Sequence, residues 1–72
     1  MMIHFTDEEK RIMEAAKISF HDGENNDDEA FELLDALHDA EVFYMQNGDE
    51  ESYKISDQYA RLADKVQDSI PD

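Results

Sequence analysis

The sequence predicts an all-α fold, a small three-helix bundle with helices over about 7-20, 27-46 and 50-70. Three observations carry that expectation. Apolar residues recur at intervals of three and four in three separate blocks. The breaks between the blocks hold the only two glycines, Gly23 and Gly48, beside asparagines that favour turns. Helix start and stop signals bracket the blocks, from Thr6 ahead of the first to Pro71 after the last. At 72 residues the chain makes one acidic helical domain, 1-72, with room for one small core. It has no cysteine, so neither a disulfide nor a thiolate metal site reinforces that core.

The first block, FTDEEKRIMEAAKISF, opens with Thr6 and Glu9 in the spacing of a capping box, in which each side chain takes the other residue's backbone N–H. Asp7, Glu8 and Glu9 also suit the positive end of the helix dipole. Ile12, Met13, Ala16 and Phe20 fall on one face, and Ile18 on the opposite one. The second helix is capped by Asn26 or Asp27. Its apolar arc, from Ala30 and Phe31 to Tyr44 and Met45, is wider than one partner helix covers, which makes it the central element. Asn47-Gly48 stops it, because glycine accepts the left-handed conformation that follows a helix end. The third helix starts near Asp49 and places Ile55, Tyr59, Leu62, Ala63, Val66 and Ile70 on a narrow stripe. So short a link makes helices two and three an antiparallel hairpin, with helix one packed across it in an up-and-down bundle and Ile3 and Phe5 lying extended alongside.

Charge is the other dominant feature. Twenty acidic and six basic side chains give a net charge of −14, well beyond the magnitude of ~2 to 8 that keeps a small domain soluble. Between Lys17 and Lys54 there is no Lys or Arg at all, while residues 21 to 53 hold twelve carboxylates. On helix two, Asp28, Glu32, Asp35 and Asp39 are spaced 4, 3 and 4 apart, a strip about 60° wide and roughly 16 Å long at ~1.5 Å rise per residue. Asp22 and Glu24 extend the acidic surface at one end, and Asp49, Glu50 and Glu51 at the other. Val42 and Phe43 flank the strip as apolar neighbours.

Catalytic and metal-binding patterns are weak. Glu41 lies within the apolar arc of helix two, so that either it is partly buried or the helix is rotated; His38 or Arg61 is its expected partner, and no second group nearby makes it a general acid or base. Asp35, His38, Asp39 and Glu41 cluster on successive turns, but helices one and three offer no matching ligands for a carboxylate-bridged metal pair. The segment from Asp22 fails as a calcium loop, with Asp27 where glycine is required and Leu33 where a bidentate Glu is required. Lys54, Arg61 and Lys65 form a stripe expected to pair with acids of helix three or helix one. No cofactor is expected.

The first residues carry Asp7, Glu8 and Glu9 where a signal peptide needs a basic region, so a cytoplasmic location is expected. With a pI near 4.2, direct nucleic-acid and membrane binding are not expected. The expectation is a non-enzymatic protein that binds a basic surface of a nucleic-acid-binding enzyme by imitating a run of phosphates, as small phage and mobile-element inhibitors of restriction or CRISPR defence do. The alternative is an interaction or regulatory module of antitoxin, immunity or small-subunit type, possible as a homodimer, in which the acids serve solubility alone.

Overall fold

The computed structural model describes residues 1–71. In chain order it contains β1 (Met2–Ile3), α1 (Asp7–Ala15), β2 (Gly23–Glu24), α2 (Asp27–Asn47) and α3 (Glu50–Ser69). The expected three helices are present, with α2 and α3 as a closely packed hairpin. Each start is fixed by its own cap. Thr6 Oγ1 accepts the Glu9 N–H at 3.1 Å while Glu9 accepts the Thr6 N–H at 2.8 Å. Asn26 and Glu29 repeat the same box at α2, with bonds of 2.8 and 3.0 Å. At α3 it is Asp49 that accepts, from the Ser52 N–H at 2.7 Å. Gly48 takes the left-handed conformation, φ 75°, between the two long helices.

The first helix ends at Ala15, not at residue 20. Lys17 adopts φ 58°, and the chain closes a Schellman turn: the Lys17 N–H donates to the Glu14 carbonyl at 3.0 Å and the Ile18 N–H to the Met13 carbonyl at 2.9 Å. A lysine at the position that usually holds glycine gave the sequence no visible stop signal. Because the chain reverses there, Ile18 turns inward against the core instead of pointing away from it. Phe20, expected on the helix face, stands in the loop edge-on to Phe5, with ring centroids 5.7 Å apart.

The turn changes the topology as well. Glu9 meets Lys65 and Ile12 meets Tyr59, so α1 runs antiparallel to α3 and hence in the direction of α2. The expected up-and-down connection is therefore replaced by an extended return, residues 16–24, that comes back along α2. It ends in a two-stranded antiparallel pairing of Met2 with Glu24 and Ile3 with Gly23. Asn25, fully buried, holds the end of this return: its amide donates to the carbonyls of His21 at 2.9 Å and Gly23 at 3.1 Å, and its backbone N–H donates to Met1 at 2.8 Å.

The core lies between the hairpin and the N-terminal third. Leu33 and Leu37 of α2 pack with Leu62, Ala63 and Val66 of α3, and Met13, Ile3 and Phe5 close it from the side. Tyr59 is the linchpin of the three helices. Its ring stacks on Tyr44 at 5.7 Å, and its hydroxyl donates to the Ile12 carbonyl at 2.9 Å. A buried hydroxyl of this kind needs a partner, and an α1 carbonyl supplies it. No helix among the described residues is long and apolar enough to cross a membrane.

Candidate protein-binding surface

The four α2 carboxylates keep the arrangement their spacing implies. Asp28, Glu32, Asp35 and Asp39 are all exposed, on the side of α2 away from Ala30, Leu33 and Leu37, which are buried. Among the described residues, no Lys, Arg, His or N-terminal nitrogen lies within 4.0 Å of any of them. The helix that carries them is held by burial of its opposite face, so the mutual repulsion of the row is sustained by core packing.

Several acids elsewhere are engaged. Glu9 meets Lys65 at 2.8 Å, Asp57 meets Arg61 at 3.0 Å, and Glu29 meets His21 at 2.9 Å. The expected pairing of the α3 cations with α3 and α1 acids is thus present for Arg61 and Lys65. Glu9 is pushed up by burial, but the Lys65 ammonium and the Thr6 N–H outweigh this and hold its carboxyl below the ordinary glutamate value. Burial likewise holds the Tyr59 phenol above its ordinary value, with Tyr44 adding to the effect.

The loop acids divide. Asp22 accepts the Phe5 N–H at 2.8 Å and lies 3.6 Å from Lys10; that backbone bond first, helped by Lys10 and His4, outweighs the cost of desolvation and holds its carboxyl low. Glu24 takes the N-terminal ammonium at 3.0 Å. Asp49 is held low by its cap bond from Ser52. Glu50 and Glu51 are exposed in the first turn of α3 and make no ion pair among the described residues. Structural duties therefore fall on Asp22, Glu24 and Asp49. Glu8, Glu14, Asp64 and Asp68 are exposed without an ion pair among the described residues, as the α2 set is, and the α2 set places four such carboxylates on one helix face.

Apolar side chains border the row. Val42 and Phe43 are 52% and 61% exposed, and Phe31, expected in the apolar arc, is also out in solvent. Glu41 is half-buried, and neither His38 nor Arg61 reaches it; Arg61 is committed to Asp57. Asp35, His38, Asp39 and Glu41 do not converge, and no three His, Asp or Glu side chains among the described residues could share a metal ion.

Alongside the row runs a groove that sequence reasoning did not find. The return segment forms one wall and α2 the other. Its larger part is a cleft of about 540 Å³ at Ile18, Ala36, Asp39, Ala40, Phe43 and Tyr44. It continues past Ser19 and Ala36 into a second cleft of about 310 Å³ bounded by Phe20, Leu33, Glu29 and Glu32. Two small residues, Ala36 and Ala40, leave the space. The signal was present as a pair of alanines on the edge of the arc, but only the Schellman turn brings a wall opposite them.

No family model, curated protein or solved structure matches the chain. The functional reading rests on the chain's own geometry.

Proposed function

We propose that this protein is a non-enzymatic acidic ligand for another protein, which presents its α2 ridge to the cationic groove of a nucleic-acid-handling enzyme in place of nucleic acid. One observation carries the reading: Asp28, Glu32, Asp35 and Asp39 stand exposed in one row with no cation within 4.0 Å among the described residues, although Lys10, Arg61 and Lys65 are paired with other acids. At ~1.5 Å rise per residue the row offers a charge every ~4.5–6 Å, sparser than duplex DNA with one per ~1.7 Å of axis. Such a ridge steers association electrostatically, so the on-rate falls steeply with salt.

The test is a panel of purified nucleases and polymerases probed at low salt, with duplex DNA as competitor. A target bound by the parent protein should release it when DNA is added. It should lose it on replacing the row with Asp28→Asn, Glu32→Gln, Asp35→Asn and Asp39→Asn while helicity by circular dichroism is retained. A quadruple variant that binds as tightly as the parent at low salt ends the reading.

The exposed Val42, Phe43 and Phe31 support a second reading, a protein-interaction module in which the acids serve solubility. Under it, Phe43→Ala outweighs the whole charge set and DNA does not compete.

A further inference from the structure

We propose that the groove between the return segment and α2 receives a cationic peptide segment of the partner, with one large apolar side chain of that segment seated in the cleft at Ile18, Ala40 and Tyr44. This deepens the ridge reading and rests on it. The ridge accounts for attraction to positive charge, whereas the groove accounts for which positive surface is held.

Three features point to that occupant. The cleft is open and its floor is apolar: Ala36, Ala40 and the Tyr44 ring, which is fixed from below by stacking on Tyr59 and from the side by an edge-on contact with Phe43 at 5.3 Å. A floor held in place before binding costs little ordering when it is filled. Next, one wall is acidic. Glu32 and Asp39 line the two clefts and belong to the unpaired row, while Lys17 is the one Lys or Arg among the described residues that lines either cleft. A segment with Lys or Arg on either side of a large apolar residue matches both surfaces. Finally, a second copy of this chain is a poor fit, because its net charge of −14 would bring carboxylates against the same wall. A nucleic acid presents the wrong sign.

The chain contains no tryptophan, so a peptide tryptophan is a clean reporter. Three probes suffice: a twelve-residue lysine-rich peptide with a central Trp, the same peptide with Ala in its place, and oligolysine of equal length. The Trp peptide should bind about tenfold more tightly than its Ala counterpart, with a blue shift of its emission. Ala40→Leu, which fills the cleft, should erase that tenfold difference and leave the Ala peptide and oligolysine unaffected. Phe43→Ala removes an exposed wall and leaves the core intact, so it should reduce the difference even if Ala40→Leu disturbs folding.

The ridge and groove fail differently. If oligolysine binding survives neutralisation of the row, the ridge reading falls. If oligolysine depends on the row but the Trp and Ala peptides bind equally, or the Trp preference persists in both cleft variants, the groove proposal alone is overturned. Absence of binding by all three peptides at low salt overturns both. Sedimentation of the protein by itself should show a monomer; a dimer undone by Phe43→Ala would assign the cleft to a second copy and overturn the proposal.

Discussion

On the side where α1 lies, Glu9, Asp22 and Glu24 each meet a cation, and two of them also accept a backbone N–H. On the outer face of α2, four carboxylates over roughly three turns meet no cation among the described residues. The same residue types are fasteners in one region and an uncompensated field in the other. The contrast teaches that acidity in this chain has two separable origins. Removing Glu9, Asp22 or Glu24 should weaken the fold, and removing a carboxylate of the row should strengthen it.

The sharpest way to break the comparison is to set burial against exposure within α2 itself. Leu37 is fully buried, and Leu37→Ala should cost about 3 kcal/mol in urea unfolding. Phe43→Ala, on the exposed face, should stay within about 0.5 kcal/mol of the parent. An equal loss from both would mean that the outer apolar residues also hold the fold together.

Acid titration separates the two sets of carboxylates next. Glu9, Asp22 and Asp49 are held below their ordinary values of 4.5, 3.8 and 3.8 in the folded state. A group with a depressed folded value stabilises fully above its unfolded value and ceases to do so as pH falls through the folded one. Measured downward from pH 5, the thermal-stability advantage of the parent over Glu9→Ala should therefore shrink, a difference in which the relief of repulsion along the row cancels. At the alkaline end the sign reverses. Tyr59 is raised above 10.0, so its contribution is complete below that value and is lost as pH climbs through the folded one.

Charge removal gives opposite signs on the two sides. Glu9→Ala abolishes half of a capping box and the Lys65 contact, for a loss of about 1 kcal/mol. Glu32→Gln, Asp35→Asn and Asp39→Asn together relieve the three like-charge pairs at helical spacing within the row and should raise stability by about 1 kcal/mol, an increase that salt diminishes. A triple variant less stable than the parent would show that the row is neutralised in solution. The smallest effect concerns the turn that ends α1. Lys17 at φ 58° carries the penalty of a side chain in the left-handed region, so Lys17→Gly should gain about 0.5 kcal/mol in the same unfolding assay.

Much of this architecture could be read from residues that announce local geometry. Thr6 with Glu9, Asn26 as one of two candidate caps, and Gly48 each mark a helix boundary through a short-range hydrogen bond or a conformational preference, and all three boundaries are where the sequence implies. The ridge was legible for a similar reason, since helical spacing alone fixes which side chains share a face. What escaped was a turn made without glycine, together with the contacts of the N-terminal third with segments distant from it in sequence. Lys17 gives no sign of a Schellman turn, because the hydrogen bonds that stabilise it come from Met13 and Glu14 and the burial that rewards it comes from Ile18. The pairing of Met2 with Glu24 is two residues long, too short to leave an alternating pattern. Asn25 reads as a turn former and is instead a buried brace. Phe31 lies within the apolar arc of α2, yet the shortened α1 and its return run along the opposite edge, leaving it in solvent.

The brace at Asn25 and the bond from Tyr59 to Ile12 also set an order of assembly. α2 and α3 are joined through Gly48 and Asp49 alone, so their pairing closes a minimal loop, whereas α1 is recruited across a separation of 47 residues. Local pairings form early and distant ones late. Amide exchange should then find the N-terminal third opening before the hairpin does. In such a partly opened molecule the charged rail persists while the wall opposite Ala36 and Ala40 has gone, so attraction to a cationic surface outlasts the ability to grip one of its side chains.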